Sequence, residues 1–266
     1  MHYRLQLFFV LLYLVFVTGL SPKLDADGLS FNVTPMITDL SIEPGASQTG
    51  LTSVRDNNAV GSPPIRFKVS LRDWTLDQSG QPTFADPGTM PDSCAPWMTV
   101  TPSELSVSPG QDQLVRYTVT APPGSQGSYH CIILLTSAPE PAIVHNTSVN
   151  VCGCIGNTVY VQVGPPVYRA KITSLAVTTK NVALTVENTG SSYVRLGGVV
   201  KIADSTGNVI QQIKIPGYVV LPGSNNLRIV TMDTLSDLPS GAYTATAILD
   251  YGGDALLGAR IHVNIQ

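Results

Sequence analysis

Charged residues are scarce in this chain of 266 residues, at 12%, with 15 Lys and Arg against 18 Asp and Glu. They are scattered without runs, which argues against a nucleic-acid surface or a polybasic membrane patch. Catalytic motifs are lacking too: there is no Gly-x-Ser-x-Gly, no His-Glu-x-x-His and no phosphate-binding loop. Because no nucleophile–base or metal constellation is present, the sequence favours a binding or structural protein over an enzyme. No cofactor and no metal ion are expected.

The N-terminus reads as a targeting segment. Arg4 provides a positive start, and an unbroken apolar run follows from Leu5 to Val17. The run is short for a bilayer span and has the three-part pattern of a signal peptide, which we assign to residues 1–20. An uncleaved anchor is the alternative. The expected location is therefore periplasmic or secreted, with no membrane span in the mature chain.

A sustained helical period is also missing, and the chain instead contains a repeated unit of turn, strand, turn, Tyr and strand. The first copy begins at Pro109-Gly110 and reaches Tyr129, and the second begins at Pro222-Gly223 and reaches Tyr243. A Tyr after such a turn is typical of a tyrosine corner, in which its hydroxyl bonds to backbone a few residues upstream. Two copies about a hundred residues apart predict an all-β fold of two tandem immunoglobulin-like β-sandwich domains.

The boundary is predicted at Gly164-Pro165-Pro166, because paired prolines stiffen a linker and cannot join a sheet ladder. The first domain then covers residues 21–164 and the second covers residues 167–266, with few contacts expected between them. The second contains seven strand candidates, the number in a constant-type sandwich. They are Lys171–Val177, Val182–Glu187, Val194–Ile202, Val209–Ile215, Leu227–Thr231, Tyr243–Leu249 and Leu256–Ile265.

Residues 30–165 resemble the N-terminal domain of the PapD-like periplasmic chaperones that assist pilus assembly. The matching segments follow in the family's order. They are Phe31–Pro35, Val54–Asn58, Pro64–Val69, Trp97–Pro102, Leu105–Gly110, Val115–Tyr117 and Pro122–Tyr129. The resemblance implies a protein partner, namely a pilin-like or other surface subunit whose exposed strand edge the chaperone shields.

In that family, a strand near the end of the first domain pairs with the subunit by β-augmentation. The matching segment here is Thr158–Val163, and its apolar face of Val159, Val161 and Val163 is the predicted partner-binding row. The alternative is that these valines fill the chain's own core, since any half-buried strand alternates in this way.

The family also holds the subunit's terminal carboxylate with two basic residues in the cleft between the domains. Neither Phe31–Ile42 nor Asn157–Val163 contains Arg or Lys. Arg169 and Lys171 follow the linker and are the nearest candidates, with solvated strand ends as the alternative reading. A structural or adhesive cell-surface protein without chaperone activity is therefore the second functional hypothesis.

The four cysteines lie in the first half of the chain, and an even count in an exported protein favours disulfides. We expect Cys94 to pair with Cys131, while Cys152 and Cys154 form a Cys-Gly-Cys pair that is open to structural, redox or metal-binding interpretations. Trp74 is expected in the core, with an exposed ligand face as the alternative.

Overall fold

The computed structural model describes residues 29–144, 147–223, 227–232 and 238–265. The predicted signal peptide lies outside these residues. The first half of the chain forms two facing sheets, and the bounds of its elements are β1 Phe31–Thr34, β2 Ile37–Ile42, β3 Ser47–Asp56, β4 Ile65–Leu76, β5 Pro82–Ala85, a short 3-10 helix Ala95–Trp97, β6 Met98–Thr101, β7 Glu104–Val107, β8 Asp112–Thr120, β9 Gly127–Ser137, β10 Glu140–Val144, β11 Thr147–Val151 and β12 Cys154–Val163.

One sheet has the strand order β1-β3-β8-β6, and the other has the order β2-β12-β9-β4-β5 with β7 paired to β4. The opening segment, residues 31–42, forms two strands instead of one, because Pro35 has no N–H to donate to a ladder. Before Pro35, β1 pairs antiparallel with β3 of the first sheet. After it, β2 crosses to the second sheet and pairs in parallel with β12. One segment therefore ties the two sheets together.

The second half of the chain forms a smaller sandwich of seven strands. A three-stranded sheet β13-β14-β17 faces a four-stranded sheet β16-β15-β18-β19. Their bounds are β13 Ala170–Val177, β14 Val182–Asn188, β15 Val194–Ala203, β16 Val209–Val220, β17 Leu227–Met232, β18 Gly241–Asp250 and β19 Leu257–Ile265. All seven predicted strands are confirmed: five differ from the prediction by one residue at one end, β16 ends five residues later, and β18 is longer at both ends.

Each sandwich has its own apolar core, built from the inward-facing residues of period-2 strands. The first core lies between residues 33 and 163, and the second lies between residues 175 and 265. Both tyrosine corners are present. Tyr129 Oη donates to the Gln126 carbonyl at 3.2 Å, and Tyr243 Oη donates to the Pro239 carbonyl at 2.8 Å. The predicted fold class, two tandem immunoglobulin-like sandwiches, is therefore confirmed.

Within the part of the chain that the structure describes, no helix has the length and apolar character needed to cross a membrane.

Candidate partner-binding site

An aromatic cluster joins the two sandwiches. Trp74 of β4, Ile132 of β9 and Tyr160 of β12 lie on the outer face of the second sheet and pack against Leu221 and Tyr193 of the second sandwich. The Trp74 and Tyr160 rings meet edge to face with centroids 5.8 Å apart. Such contacts stabilise beyond the apolar area they bury. The two sandwiches therefore touch at this cluster, while the linker and the domain limits remain predictions.

Hydrogen bonds reinforce this interface on both sides of the cluster. Ser128 N–H donates to the Ser191 carbonyl at 3.0 Å, and Tyr193 N–H donates to Ser128 Oγ at 3.1 Å. On the opposite side, Ile229 N–H donates to the Gln78 carbonyl at 2.7 Å. Backbone groups of both sandwiches thus satisfy each other, and this fixes their relative orientation.

A salt bridge lies at the mouth of the cleft between the sandwiches. Asp39 Oδ1 accepts hydrogen bonds from Tyr193 Oη at 2.7 Å and from an Arg195 guanidinium nitrogen at 2.8 Å. The same guanidinium lies 4.9 Å from the Tyr160 ring centroid, within cation–π range. Burial raises the pKa of Tyr160 to about 12. Burial lowers the pKa of Arg195, but the hydrogen bond to Asp39, the charge of Asp39 and the nearby Tyr160 and Tyr193 together outweigh burial, and the pKa is raised.

The two basic residues considered as candidates for this cleft lie elsewhere, as the alternative of solvated strand ends has it. Lys171 pairs with Glu187 at 3.0 Å between β13 and β14 of the second sandwich. Arg169 is exposed, and its carbonyl accepts the N–H groups of Thr189 and Gly190. Arg228 of β17 packs against Gly80 of the first sandwich, and Arg195 is the basic side chain that lies beside the aromatic cluster. Sequence reasoning missed it because its position depends on how the two sandwiches pack.

A buried polar network supports the cleft from behind. Burial lowers the pKa of His130, so its imidazole is neutral at pH 7. In that state Nε2–H donates to the Trp74 carbonyl at 2.9 Å. Asp73, buried nearby, accepts from Met90 N–H at 2.9 Å and from the Ser93 hydroxyl. Trp74 is therefore buried between the two sandwiches, and His130 holds its backbone. It does not form an exposed ligand face.

The predicted partner-binding valines are inside the protein. Val159, Val161 and Val163 are each 0% exposed and belong to the first core. Their strand, β12, is not at an edge, because β2 covers one side and β9 covers the other. The expectation of an accessible valine row is therefore corrected: these side chains have no access to a partner. The strand crossing at Pro35, which brings β2 to this place, is what the sequence did not reveal.

An accessible strand edge lies in the segment that connects β9 to β12. This segment forms a hairpin of β10 and β11, which pair only with each other among the described residues. The pairing of β12 with β2 begins only at Thr158. Before that residue, the first part of β12 has no described strand on the side away from β9. β11 likewise has no described strand on the side away from β10. On β11, Val149 and Val151 are 36% and 40% exposed and flank Asn150. β11, which has one unpaired edge and two partly exposed valines, is the candidate site.

The joint between β11 and β12 is held firmly at Gly153. Its N–H donates to Ser137 Oγ at 2.9 Å, and its carbonyl accepts Ser137 N–H at 2.9 Å. A Cβ at Gly153 would lie 2.6 Å from the ring of Phe31, so only glycine allows this packing. The hairpin β10–β11 is thus anchored at its base while its outer edge is open.

Two of the four cysteines are buried and two are exposed. Cys94 and Cys131 are buried in the first core with their sulfur atoms 2.9 Å apart, and burial raises the pKa of Cys94. Their bridge stays a prediction, and peptide mapping without reductant decides it: a linked Cys94–Cys131 peptide is expected, and unlinked peptides would contradict it. Cys152 and Cys154 are exposed on either side of Gly153.

Among the described residues, no group of three or more His, Cys, Asp or Glu side chains could hold a metal ion.

Comparisons with known proteins connect this geometry to a fold. No protein-family model and no curated protein sequence matches the chain. Among solved structures, the YadV chaperone is 12% identical with a TM-score of 0.50, and the alignment covers 88% of this chain and 100% of that chain. The class 5 fimbriae chaperone CfaA is 15% identical, with a TM-score of 0.45 and coverages of 87% and 98%.

A chain of the CsuC-CsuE chaperone-tip adhesion subunit pre-assembly complex of Acinetobacter baumannii is 12% identical, with a TM-score of 0.46 and coverages of 89% and 99%. At these identities the likeness, carried by YadV, concerns the fold. The resemblance that the sequence indicates is confirmed at that level: this chain has the two-domain β-sandwich fold of the PapD-like periplasmic chaperones.

Proposed function

We propose that this protein is an extracytoplasmic binding protein that shields a strand edge of a surface subunit, as a fimbrial assembly chaperone does. The observation that carries the proposal is the open outer edge of β11, with Val149 and Val151 half-exposed beside it. The likeness of the fold to that of the YadV chaperone supports the same function.

An open strand edge is a liability for a protein. An unpaired strand presents a row of N–H and C=O groups that can pair with another chain, and proteins usually block such edges with charge, proline or a bulge. β11 has the sequence Thr-Ser-Val-Asn-Val, with none of these devices. An open edge of this kind is retained when pairing with a partner is its function.

The mode of binding follows from the strand's alternation. In β-augmentation, main-chain hydrogen bonds supply affinity and alternate side chains supply specificity. Val149 and Val151 are two residues apart and therefore project to the same side of β11. An incomplete subunit would gain a strand from β11 and bury both valines in its own core. The pinned Gly153 presents this strand in one orientation, which lowers the entropy cost of binding.

The proposal includes an extracytoplasmic location, because a surface subunit meets its chaperone after export. The apolar run at residues 5–17 supports it as a signal sequence.

A second function, a structural or adhesive cell-surface protein, is favoured by one observation. Arg195, beside the aromatic cluster, is already paired with Asp39 and is not a free basic group for a subunit's carboxylate. In that case β11 would pair with a second copy of the chain, or with a lasting neighbour in a surface assembly.

Photo-crosslinking in the source organism tests the proposal. The full chain carries p-benzoylphenylalanine at position 149 or 151, with a matched control at position 114. Leu114 is 53% exposed on the outer face of the other sheet. We expect both β11 positions, and not the control, to crosslink to the same secreted subunit at its terminal or edge strand. Crosslinks only between copies of this chain would favour the second function, and equal crosslinking from position 114 would refute the site.

A further inference from the structure

A shallow trough of about 810 Å³ lies on the outer face of the second sheet. Its floor is made of small side chains, including Ser70 of β4 and Thr136 of β9, and Leu134 closes one side. Arg66, Lys68 and Arg72 of β4 stand over it, because alternate residues of a strand project to the same face. We call these six residues the basic trough. The surface is concave because the small side chains of Ser70 and Thr136 lie between the long side chains of Arg66, Lys68 and Arg72.

The charge of the trough is mostly unbalanced. Arg72 pairs with Asp86 outside the trough. Arg66 and Lys68 are exposed, and their side chains form no ion pair or hydrogen bond within the described part of the chain. One carboxylate, Glu104 of β7, also lines the trough; it lies opposite Lys68 in the strand register but does not form an ion pair with it. Two cations therefore remain available to carboxylates from outside.

The trough also connects the two features that the proposed function uses. At one end, Trp74 follows Arg72 on the same face of β4 and forms the wall of the cleft between the sandwiches. At the other end, the lining continues through Pro139 to the start of β10. A partner paired with β11 and leaning toward the cleft would lie across the trough.

We propose that the basic trough binds an acidic, extended segment of the protein partner. Arg66 and Lys68 are two residues apart on one strand, so their Cα atoms are roughly 7 Å apart. Carboxylates at positions i and i+2 of an extended segment have the same spacing. The concave floor suits a peptide chain better than a flat bilayer surface. The inference rests on the proposed function for the identity of the partner, but the trough is testable by itself.

Fluorescence anisotropy of a labelled peptide with four Glu-Ser repeats provides the test, with the matching Gln-Ser peptide as the uncharged probe. The proteins are the full chain, the R66Q/K68Q variant and a control variant K201Q/R260Q. The control removes two cations from another hollow, on the second sandwich. All four positions are on strand surfaces, and matching urea unfolding curves verify that the variants fold.

We expect the Glu-Ser peptide to bind the wild type and K201Q/R260Q equally, to bind R66Q/K68Q about three- to tenfold more weakly, and to lose affinity in salt. The Gln-Ser peptide should not distinguish the three proteins. Equal binding of both peptides, or unchanged binding by R66Q/K68Q, would overturn the proposal.

A second arm uses vesicles of phosphatidylcholine with and without phosphatidylglycerol. Binding to the anionic vesicles that R66Q/K68Q abolishes, without peptide binding, would assign the trough to a lipid surface and overturn the proposal. Failure of the proposed function gives a different result: the peptide binds the trough, yet crosslinks from β11 to a subunit are absent.

Discussion

The placement of the valine row of β12 in the core predicts a sharp contrast between two substitutions of the same kind. Val161→Glu puts a carboxyl group into the first core, between β2 and β9, at a position with 0% exposure. Val149→Glu puts the same group on β11, where the valine is already 36% exposed. We expect Val161→Glu to destabilise the protein strongly and Val149→Glu to leave stability nearly unchanged while it abolishes partner capture.

The magnitude follows from burial. Complete burial of a valine side chain stabilises by about 1.5–3 kcal/mol, and this is lost. The introduced carboxyl must also stay protonated, and raising its pKa from about 4.3 to above 7 costs roughly 4 kcal/mol at pH 7. The total is on the order of 6 kcal/mol, comparable to the entire stability of many domains. A half-exposed strand position away from the core changes stability by about 0.5 kcal/mol or less.

Urea unfolding followed by tryptophan fluorescence measures both variants. Trp74 and Trp97 lie at the interface and beside the first core, so the signal reports on this sandwich. Because the folded-state pKa of the introduced carboxyl is raised, its cost grows as pH rises from about 4.3, by up to about 1.4 kcal/mol per unit. The Val161→Glu penalty should therefore be smaller at pH 5 than at pH 7.

If Val161→Glu does not fold, Val161→Ala should still cost about 1–3 kcal/mol and Val149→Ala should cost much less. Equal effects at the two positions would refute the placement of β12 in the core.

Three further predictions concern the interface and the corners. Asp39→Ala unpairs Arg195 and should lower the calorimetric Tm by about 2–4 °C, or split the transition in two; an unchanged single transition would contradict the proposed coupling. The pKa of His130 in the folded state is lowered from 6.5, so the unfolded chain binds more protons below about pH 6.5. The free energy of unfolding should therefore fall as the pH drops below about 6.5. His130→Gln should remove this dependence of stability on pH. Tyr243→Phe should cost about 0.5–1.5 kcal/mol, and Tyr129→Phe, with its longer hydroxyl contact, should cost less in the same urea assay.

The sequence predicted what depends on neighbours along the chain. Pro-Gly turns, period-2 alternation and the Tyr after a turn are local signals. They located all seven strands of the second sandwich and both tyrosine corners. The fold class followed from these signals together, because repeated short strands with a corner Tyr leave few other arrangements.

What the sequence missed depends on contacts between distant residues. The alternation of Val159, Val161 and Val163 is the same whether β12 lies at an edge or beside β2, and only the crossing at Pro35 decides it. The hairpin β10–β11 was not predicted: no strand was assigned between the first repeat unit and Asn157–Val163. Arg195 reaches the cleft only through the packing of the second sandwich, which no local pattern encodes.

The central claim, that β11 is the edge which receives a partner strand, is tested most directly by amide hydrogen exchange on the isolated protein and on its purified subunit complex. The account predicts fast exchange of the outward-facing amides of residues 147–151 in the free protein and strong protection in the complex, with β12 slow in both. Protection that appears only elsewhere, for example on β6 or β16, with residues 147–151 still exchanging fast in the complex, would contradict it.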